Sequence, residues 1–451
     1  MRRTSFGARD PSIRPPGRTI VAGAMAAVRP SRLALLLLLA SCLHARNAAA
    51  DAANRNLLPF GERAAFLGNA GITSQTGDAV FYNPANLALI GHPNLSVSAN
   101  VYAVVDLEAD PFLEIEGVDQ PFHASGFLSI PSTLVSTYQF GGWSVATAVL
   151  VPDSVTLKNR VTFDSPSLHV TLLQEQQQES LYLGAGVAHV IVPGLTAGAS
   201  VFVAKESTAD LYFLRSEVAS TEPSMVSEFT SNTDGTVFNL TAVAGLSWQP
   251  TPTLGIGVRT QVPPIRLTGD ADIYQSINVP GDATNTVESA WEDADQRAPL
   301  PWDVGMGVSF RPHPKLELLA DLNLELPATL TVRDDPDLPP EVGFAQTKTK
   351  VAPRFGAGAE WQFLSQIWLR LGTLYNGSAY GKPKTSDDEV REQYYGVTGG
   401  LAWQKDRTHT AIGGFYLRSD ADLIVQGSDP PRESDARTVV YGALLTVSYR
   451  L

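Results

Sequence analysis

The sequence predicts an all-β protein, a transmembrane antiparallel β-barrel of about fourteen strands. Apolar and polar residues alternate along many segments, the connections between the segments are alternately short and long, and aromatic residues precede the short ones. Period-two alternation indicates strands with two different faces, which a soluble sandwich would also show. The aromatic residues favour the barrel, because its wall needs an aromatic girdle where it meets the lipid headgroups.

The alternation is clearest in the middle and at the end of the chain. In "LELLADLNLEL" (316–326), leucine and alanine alternate with acidic and amide residues. The segments "VFNLTAVAGLSW", "WDVGMGVSFR" and "VVYGALLTVSYRL" repeat the pattern. No second run approaches the length of a membrane-spanning helix. Division on this pattern predicts strands that begin near residues 94, 125, 143, 179, 195, 236, 253, 300, 315, 350, 366, 393, 408 and 437.

The connections and the aromatic residues define two different ends of the barrel. Short turns such as "FGGW" (140–143) and "QKDR" (404–407) alternate with long polar links such as "VRDDPDLPPE". An even number of strands with short turns at one end and long loops at the other is typical of outer-membrane barrels. The aromatic residues that mark the short-turn end are Phe140, Trp248, Phe310, Phe363 and Trp403.

Residues 1–50 form an export signal region. Arg32 precedes the apolar run "LALLLLLA" (33–40), which is too short to span a bilayer. Two cleavage sites fit the sequence. "LASC" has the form of a lipoprotein signal and would make Cys42 a lipidated N-terminus, whereas "AAA" before Asp51 suits ordinary signal peptidase. The mature chain is expected to begin at one of these two residues.

The composition excludes several classes of function. The net charge of −13 over 451 residues makes nucleic acid a poor partner. A single cysteine excludes an internal disulfide, and the seven scattered histidines show no local zinc set. Catalytic motifs such as Gly-x-Ser-x-Gly and the P-loop are absent from the sequence, although a serine–histidine pair assembled across strands would leave no local motif. We therefore expect no enzyme, cofactor or metal.

The segment "FLGNAGITSQTGDAVFYNPANLALI" (66–90) resembles the N-terminal signature of the FadL/TodX family, outer-membrane transporters for long-chain fatty acids and other hydrophobic compounds. The resemblance continues in "GLSWQPTPTLGIGVRT", "LPWDVGMGVSFRPHPKLELLADLNLE" and "RFGAGAEWQFLSQIWLRLGTLYN" and covers residues 60–451. It implies a hatch at residues 51–92 that plugs the lumen of a fourteen-stranded barrel at residues 93–451. It also implies sideways release of substrate through a wall gap at a kink in the third strand.

The resemblance assigns gating residues in the hatch. The family's Asn-Pro-Ala motif, which lies at the kink, matches Asn83, Pro84 and Ala85, and Asn86 follows where the family often has glycine. Asparagine also tolerates left-handed conformations. The alternative is that Asn-Pro only starts a helical turn and has no gating role.

The residues themselves indicate where the wall can open. Proline has no N–H to donate to a strand ladder, so Pro152 in "AVLVPDSV" predicts a lateral opening at Pro152 and Asp153. Strand two also carries a proline, Pro131. The alternative is that these prolines merely sit where strands leave the membrane.

Alternation also predicts what faces the lumen. Arg259, Arg354 and Arg370 should point inward, where they could contact a carboxylate of the ligand. Alternatively, they pair with inward-facing acids such as Glu317 and Glu360 or with the hatch. Four glycine pairs should let the hatch approach the wall closely, namely Gly184/Gly186, Gly255/Gly257, Gly305/Gly307 and Gly356/Gly358.

The predicted function is passive uptake of hydrophobic small molecules such as long-chain fatty acids, with lateral exit through the barrel wall. The expected partners are this substrate and the lipids of the outer membrane of a Gram-negative-type bacterium, and the expected state is a monomer. The alternative is a surface or assembly scaffold that keeps the family fold without transport, because a fold does not determine a function.

Overall fold

A computed structural model describes residues 58–115, 117–128, 133–164, 168–218, 225–278, 286–385, 389–425, 428 and 430–451. The export signal region, Cys42 and residues 51–57 of the predicted hatch lie outside these ranges. Pro131 also lies outside them.

The barrel predicted from the alternation is confirmed. Within the described ranges, seventeen strand segments form one antiparallel sheet, and the sheet closes because its first strand pairs with its last. Three pairs of segments continue one another along the wall, which leaves fourteen barrel strands. The unbroken strands are β1 (Asn94–Ile115), β3 (Trp143–Asp164), β4 (Leu168–Val192), β5 (Leu195–Val218), β6 (Met225–Thr251), β9 (Leu316–Glu325), β10 (Ala352–Leu364), β11 (Ile367–Asn376), β12 (Arg391–Lys405), β13 (Thr408–Ile424) and β14 (Glu433–Arg450).

The remaining three strands are each described in two segments. They are β2 (Val118–Leu128 and Thr133–Phe140), β7 (Leu254–Gln261 and Ile265–Asn278) and β8 (Thr286–Asp295 and Asp303–His313). Residues 129–132 of β2 lie outside the described ranges, whereas β7 and β8 are broken within them, which the sequence did not predict. A separate two-stranded hairpin, Thr329–Asp334 with Phe344–Lys348, connects β9 to β10. Helical structure in the described part of the chain is short. It comprises α1 (Ala79–Tyr82), α2 (Pro340–Gly343) and the 3₁₀ turns Ala64–Leu67 and Pro84–Leu89. None of these helices is long and apolar enough to cross a membrane.

The two ends of the barrel differ in how well the sequence located them. Strands that start at short turns begin within one residue of the predicted position, as at residues 143, 195 and 408. Several strands that start at the long-loop end begin earlier than predicted. β4, β6 and β8 begin eleven to fourteen residues before the predicted positions 179, 236 and 300. Alternation fades there, because these ends carry polar residues on their outer face as well.

The outer face of the wall is an apolar band between two rows of aromatic residues. Phe140, Trp248, Phe310, Phe363 and Trp403 are all exposed, as the alternation predicts. Exposed aromatics recur eight residues away on the same strands, in the pairs Trp302/Phe310, Phe355/Phe363, Tyr395/Trp403 and Tyr441/Tyr449. Eight residues span about 27 Å along a strand, or about 20 Å along the barrel axis at a tilt of about 40°.

The lumen at the short-turn end is filled by residues 58–92, which we call the hatch segment. Phe81 and Leu87 of this segment pack against Leu150, Tyr182 and Phe202 of the wall. On the opposite side of the lumen, Leu58 and Phe66 belong to a second buried cluster built on strands β11 to β14 and β1. The hatch segment therefore contacts the wall on both sides of the barrel.

Candidate functional site

Glycines on the inner face of the wall let the backbone of the hatch segment approach closely. A Cβ added at Gly356 would lie 2.3 Å from the carbonyl oxygen of Gly68, and one added at Gly358 would lie 2.6 Å from Leu67 Cβ. Among the predicted glycines, Gly186, Gly257, Gly305 and Gly307 also face the hatch segment. Gly184 and Gly255 instead meet wall atoms of Val201 and Ser309.

Sequence reasoning missed four further glycines of this kind. A Cβ at Gly198 would lie 2.5 Å from the backbone of Pro84, and one at Gly372 would lie 2.2 Å from Gly68 N. Gly245 and Gly400 approach Asn83 and Phe66 in the same way. These glycines occupy inward-facing positions on their strands. None belongs to a Gly-x-Gly pair, which is the pattern from which the inward-facing glycines were predicted.

Asn83 connects the hatch segment to the wall. Its Nδ2 donates to the carbonyl oxygen of Ile72 at 3.0 Å and to that of Leu246 in β6 at 3.1 Å. Its Oδ1 accepts from Ala85 N at 3.2 Å and so caps the 3₁₀ turn that begins at Pro84. The helical start that the sequence offered as the alternative is therefore present, and Asn83 also contacts the wall.

The motif lies beside β5 and β6. Pro84 packs against Gly198 of β5 and Asn83 against Gly245 of β6, whereas Pro152 is on β3. Leu150, two residues before Pro152, belongs to a buried cluster that includes Phe81 and Leu87 of the hatch segment. The gating role of Asn83, Pro84 and Ala85 stays a prediction.

Buried ion pairs join the hatch segment to strands β9 and β10 of the wall. The guanidinium of Arg63 contacts Glu317 of β9 at 2.7 Å and Glu360 of β10 at 3.0 Å. Glu360 also accepts from Arg370 Nε of β11 at 2.6 Å. Sequence reasoning did not single out Arg63, which stands three residues before the recognised block. The sequence feature that could have pointed to Arg63 is the adjacent charged pair "ER", which leads into an apolar stretch.

A second set of buried ion pairs lies within the wall, around Asp303 and Glu325. Arg354 Nη2 donates to Asp303, and Arg354 Nη1 lies 3.1 Å from Glu325. Arg259 lies 3.6 Å from Asp303 and donates to Gln261 at 3.1 Å.

The three arginines predicted as ligand contacts, Arg259, Arg354 and Arg370, all point inward and are buried. Each one contacts a wall carboxylate, which is the alternative that the sequence left open. A cavity of about 50 Å³ lies between Arg259, Arg354 and the hatch residue Tyr82. Direct contact between these arginines and a ligand stays a prediction.

The hydrogen-bond ladder between β3 and β4 is disturbed at Pro152, because its register shifts between Leu150 and Asp153. On the side of β2, the pairs Thr133↔Leu150 and Gly126↔Leu157 keep one register, and residues 129–132 between them lie outside the described ranges. Proline cannot donate to a strand ladder. This geometry is compatible with a lateral opening at Pro152 and Asp153, whose role stays a prediction.

The inner face toward the long-loop end is apolar. Phe163, Leu172, Tyr212, Leu214 and Phe229 form a buried cluster on strands β3 to β6. A neighbouring cluster on β1, β2 and β13 continues it around the lumen. Water-filled barrels of this kind have polar interiors, whereas this end of the lumen carries an apolar surface.

Solved structures with the same fold cover most of this chain. The Pseudomonas putida toluene transporter TodX is 12% identical, with a TM-score of 0.61 over 88% of this chain and 99% of that one. The Ralstonia pickettii toluene transporter TbuX is 15% identical, with a TM-score of 0.55 over 88% and 99%. A Pseudomonas aeruginosa FadL homologue is 14% identical, with a TM-score of 0.56 over 88% and 100%.

No family model and no curated protein matches the sequence. At these identities the structural likeness shows the fold alone. The chain is therefore a barrel with the FadL/TodX fold, and the resemblance found in the sequence is confirmed at that level.

Proposed function

We propose that this chain is a monomeric outer-membrane protein of a Gram-negative-type bacterium that takes up hydrophobic small molecules passively. Long-chain fatty acids are the substrates that the family resemblance suggests, and release is lateral, through the barrel wall. The observation that carries this proposal is a pair of buried apolar clusters on the inner face, one toward the long-loop end and one at the hatch segment.

The outer face supports placement in a membrane. Exposed leucine, valine, isoleucine and methionine side chains, including Leu183, Val201, Leu246, Met306 and Ile412, surround the wall. Monomeric soluble proteins rarely expose apolar patches above a few hundred Å². The two aromatic rows bound this band at a height of about 20 Å, close to the ~25 Å of known outer-membrane barrels. Outer-membrane lipids are thus the expected surroundings.

The inner face offers two apolar contact areas with polar side chains between them. A molecule that enters between Phe163 and Phe229 passes inward-facing residues such as Gln176 and Glu206 before it meets Tyr182 and Phe202, which are part of the cluster around Phe81. Transport of an apolar compound across a polar leaflet requires such a sheltered path and no catalytic group. Weak, successive contacts with aromatic and aliphatic side chains allow the molecule to enter and also to leave.

Lateral release follows from the way the hatch segment closes the axial route. Close contacts at Gly356 and Gly372 and the ion pairs of Arg63 hold this segment against the wall. Leu150 lies in the same buried cluster as Phe81, only two residues from Pro152, where the register between β3 and β4 shifts. A molecule that reaches this cluster is therefore close to an irregular part of the wall.

The test is uptake by cells that lack their own hydrophobic-compound transporter. We would compare a fluorescent long-chain fatty acid and radiolabelled toluene in cells with wild-type protein, Asn83→Ala or Pro152→Val at matched surface levels. The proposal predicts uptake of at least one probe above the empty vector and slower uptake in both variants. Failure to carry either probe would favour the scaffold alternative. Wild-type rates in a variant would exclude that residue from the path.

A further inference from the structure

We infer that the lumen selects uncharged hydrophobic compounds over carboxylates, and that Asp303 and Glu325 set this selectivity by occupying Arg354. This inference rests on the proposed function and specifies its substrate class. It differs from the expectation that lumen arginines receive a ligand carboxylate.

The first observation is that the buried cations are already paired. Among the described residues, the buried cationic side chains are four arginines, and each contacts at least one carboxylate. Arg63 and Arg370 share Glu360, at 3.0 and 2.6 Å. Arg354 lies between Asp303 and Glu325. A ligand carboxylate would have to displace one of these wall carboxylates before it gained a comparable partner.

The second observation is the balance of charge around these arginines. Six carboxylates that are buried or nearly so surround the four cations, namely Glu62, Asp303, Glu317, Asp321, Glu325 and Glu360. Arg311 at the rim also pairs with Glu317 but is about half exposed. A further negative charge would meet like charges at close range, which disfavours its ionised form. An uncharged molecule of the same shape avoids this cost.

The third observation concerns the wall near the proposed exit. Asp153 is the register partner of Ser180, and Ser180 is the register partner of Glu206. Ser180 donates a hydrogen bond to the buried carboxylate of Glu206. Register partners on adjacent strands point to the same face of the sheet. Asp153 and Glu206 therefore both face the lumen, and a carboxylate substrate would encounter negative charge there as well.

Asp303 and Glu325 are the residues to change, because both contact Arg354, which lines the cavity beside the hatch residue Tyr82. The double variant Asp303→Asn and Glu325→Gln keeps the shapes of both side chains and removes both charges. Arg354 then becomes available to a ligand carboxylate. The matched control is Glu433→Gln, which removes the carboxylate of an exposed ion pair with Lys382.

The experiment compares uptake of radiolabelled decanoate and methyl decanoate at neutral pH, where the acid is ionised. Cells without their own transporter would express wild type, the double variant or Glu433→Gln. We expect the wild type and Glu433→Gln to carry the ester faster. We expect the double variant to raise decanoate uptake roughly tenfold, which corresponds to about 1.4 kcal/mol, with ester uptake unchanged.

The outcomes separate the inference from the function on which it rests. Uptake of neither compound would overturn the proposed function. Equal uptake of both compounds by the wild type, or faster uptake of decanoate, would overturn the selectivity while keeping transport. If the double variant fails to fold, as judged by heat-dependent migration on a denaturing gel, binding of decanoate to the purified wild type decides. If decanoate binds the wild type as strongly as methyl decanoate does, the inference is overturned. Weaker binding of decanoate supports it.

Discussion

The close contact at Gly372 predicts that a single added methyl group will loosen the hatch segment. In Gly372→Ala, the new Cβ would lie 2.2 Å from Gly68 N and 2.3 Å from the carbonyl carbon of Leu67. Ordinary contact begins at 3.4 Å, so the hatch backbone has to retreat by about 1.2 Å. Both contacts are with backbone, so no side-chain rotation can relieve them.

The magnitude follows from two losses. Overpacking in a tightly packed site costs about 1–3 kcal/mol. Gly68 N also donates to Thr398 Oγ1 at 3.0 Å, and the retreat breaks this bond, which costs about 1 kcal/mol more. The sum of about 2–4 kcal/mol raises the ratio of undocked to docked hatch by about thirtyfold or more.

The assay is single-channel conductance in planar bilayers, because an undocked hatch opens the lumen to ions. The control is Gly399→Ala on the neighbouring strand, where the new Cβ would first meet the flexible end of Leu371 at 3.1 Å on the outer face. We expect open events in Gly372→Ala that are rare in the wild type and in Gly399→Ala. If both variants fold and conduct like the wild type, close backbone approach does not hold the hatch segment.

Three further predictions test other parts of the site. Arg63→Met leaves Glu317 and Glu360 without their partner from the hatch segment. The free energy of unfolding should drop by about 3–5 kcal/mol, which lowers the thermal unfolding midpoint; an unchanged midpoint would show that the pairs are not effectively buried. Pro152→Val supplies an N–H to the β3 ladder and should slow uptake of a hydrophobic probe without lowering that midpoint, whereas an equal rate would place the exit elsewhere. Asn83→Ala removes donors to two backbone carbonyls and should lower the midpoint by the equivalent of about 1–3 kcal/mol, and wild-type stability would show that water replaces the lost bonds.

Much of the wall could be predicted because its determinants are local. A strand exposes successive side chains to opposite faces, so the outward positions of Trp248 and Phe310 and the inward position of Arg354 follow from phase alone. Short turns bring two strands together over a few residues, and strand starts at that end were accurate within one residue. Long-loop ends were misplaced because their outer faces carry polar residues and the alternation fades.

The site depended on contacts that phase cannot specify. Arg63 meets Glu360, 297 positions further along the chain, and could equally have met another inward-facing acid. The inner-face glycines were recognisable as inward-facing, but only the docked hatch segment distinguishes Gly198, which contacts Pro84, from Gly255, which contacts Ser309. The breaks in β7 and β8 likewise depend on pairing with both neighbouring strands.

By itself, the sequence determined the number of strands, their inward and outward faces and the aromatic end of the barrel, because each follows from the period of a strand and the length of a turn. Only the tertiary structure decided that the lumen arginines are occupied by wall carboxylates and that the Asn-Pro-Ala motif lies beside β5 and β6. The physical reason is that ion-pair partners are set by the register of the closed sheet and by the docking of the hatch segment. The register joins Arg370 to Glu360 and Arg354 to Asp303, 10 and 51 positions apart, and the docking of the hatch segment joins Arg63 to wall acids more than 250 positions away.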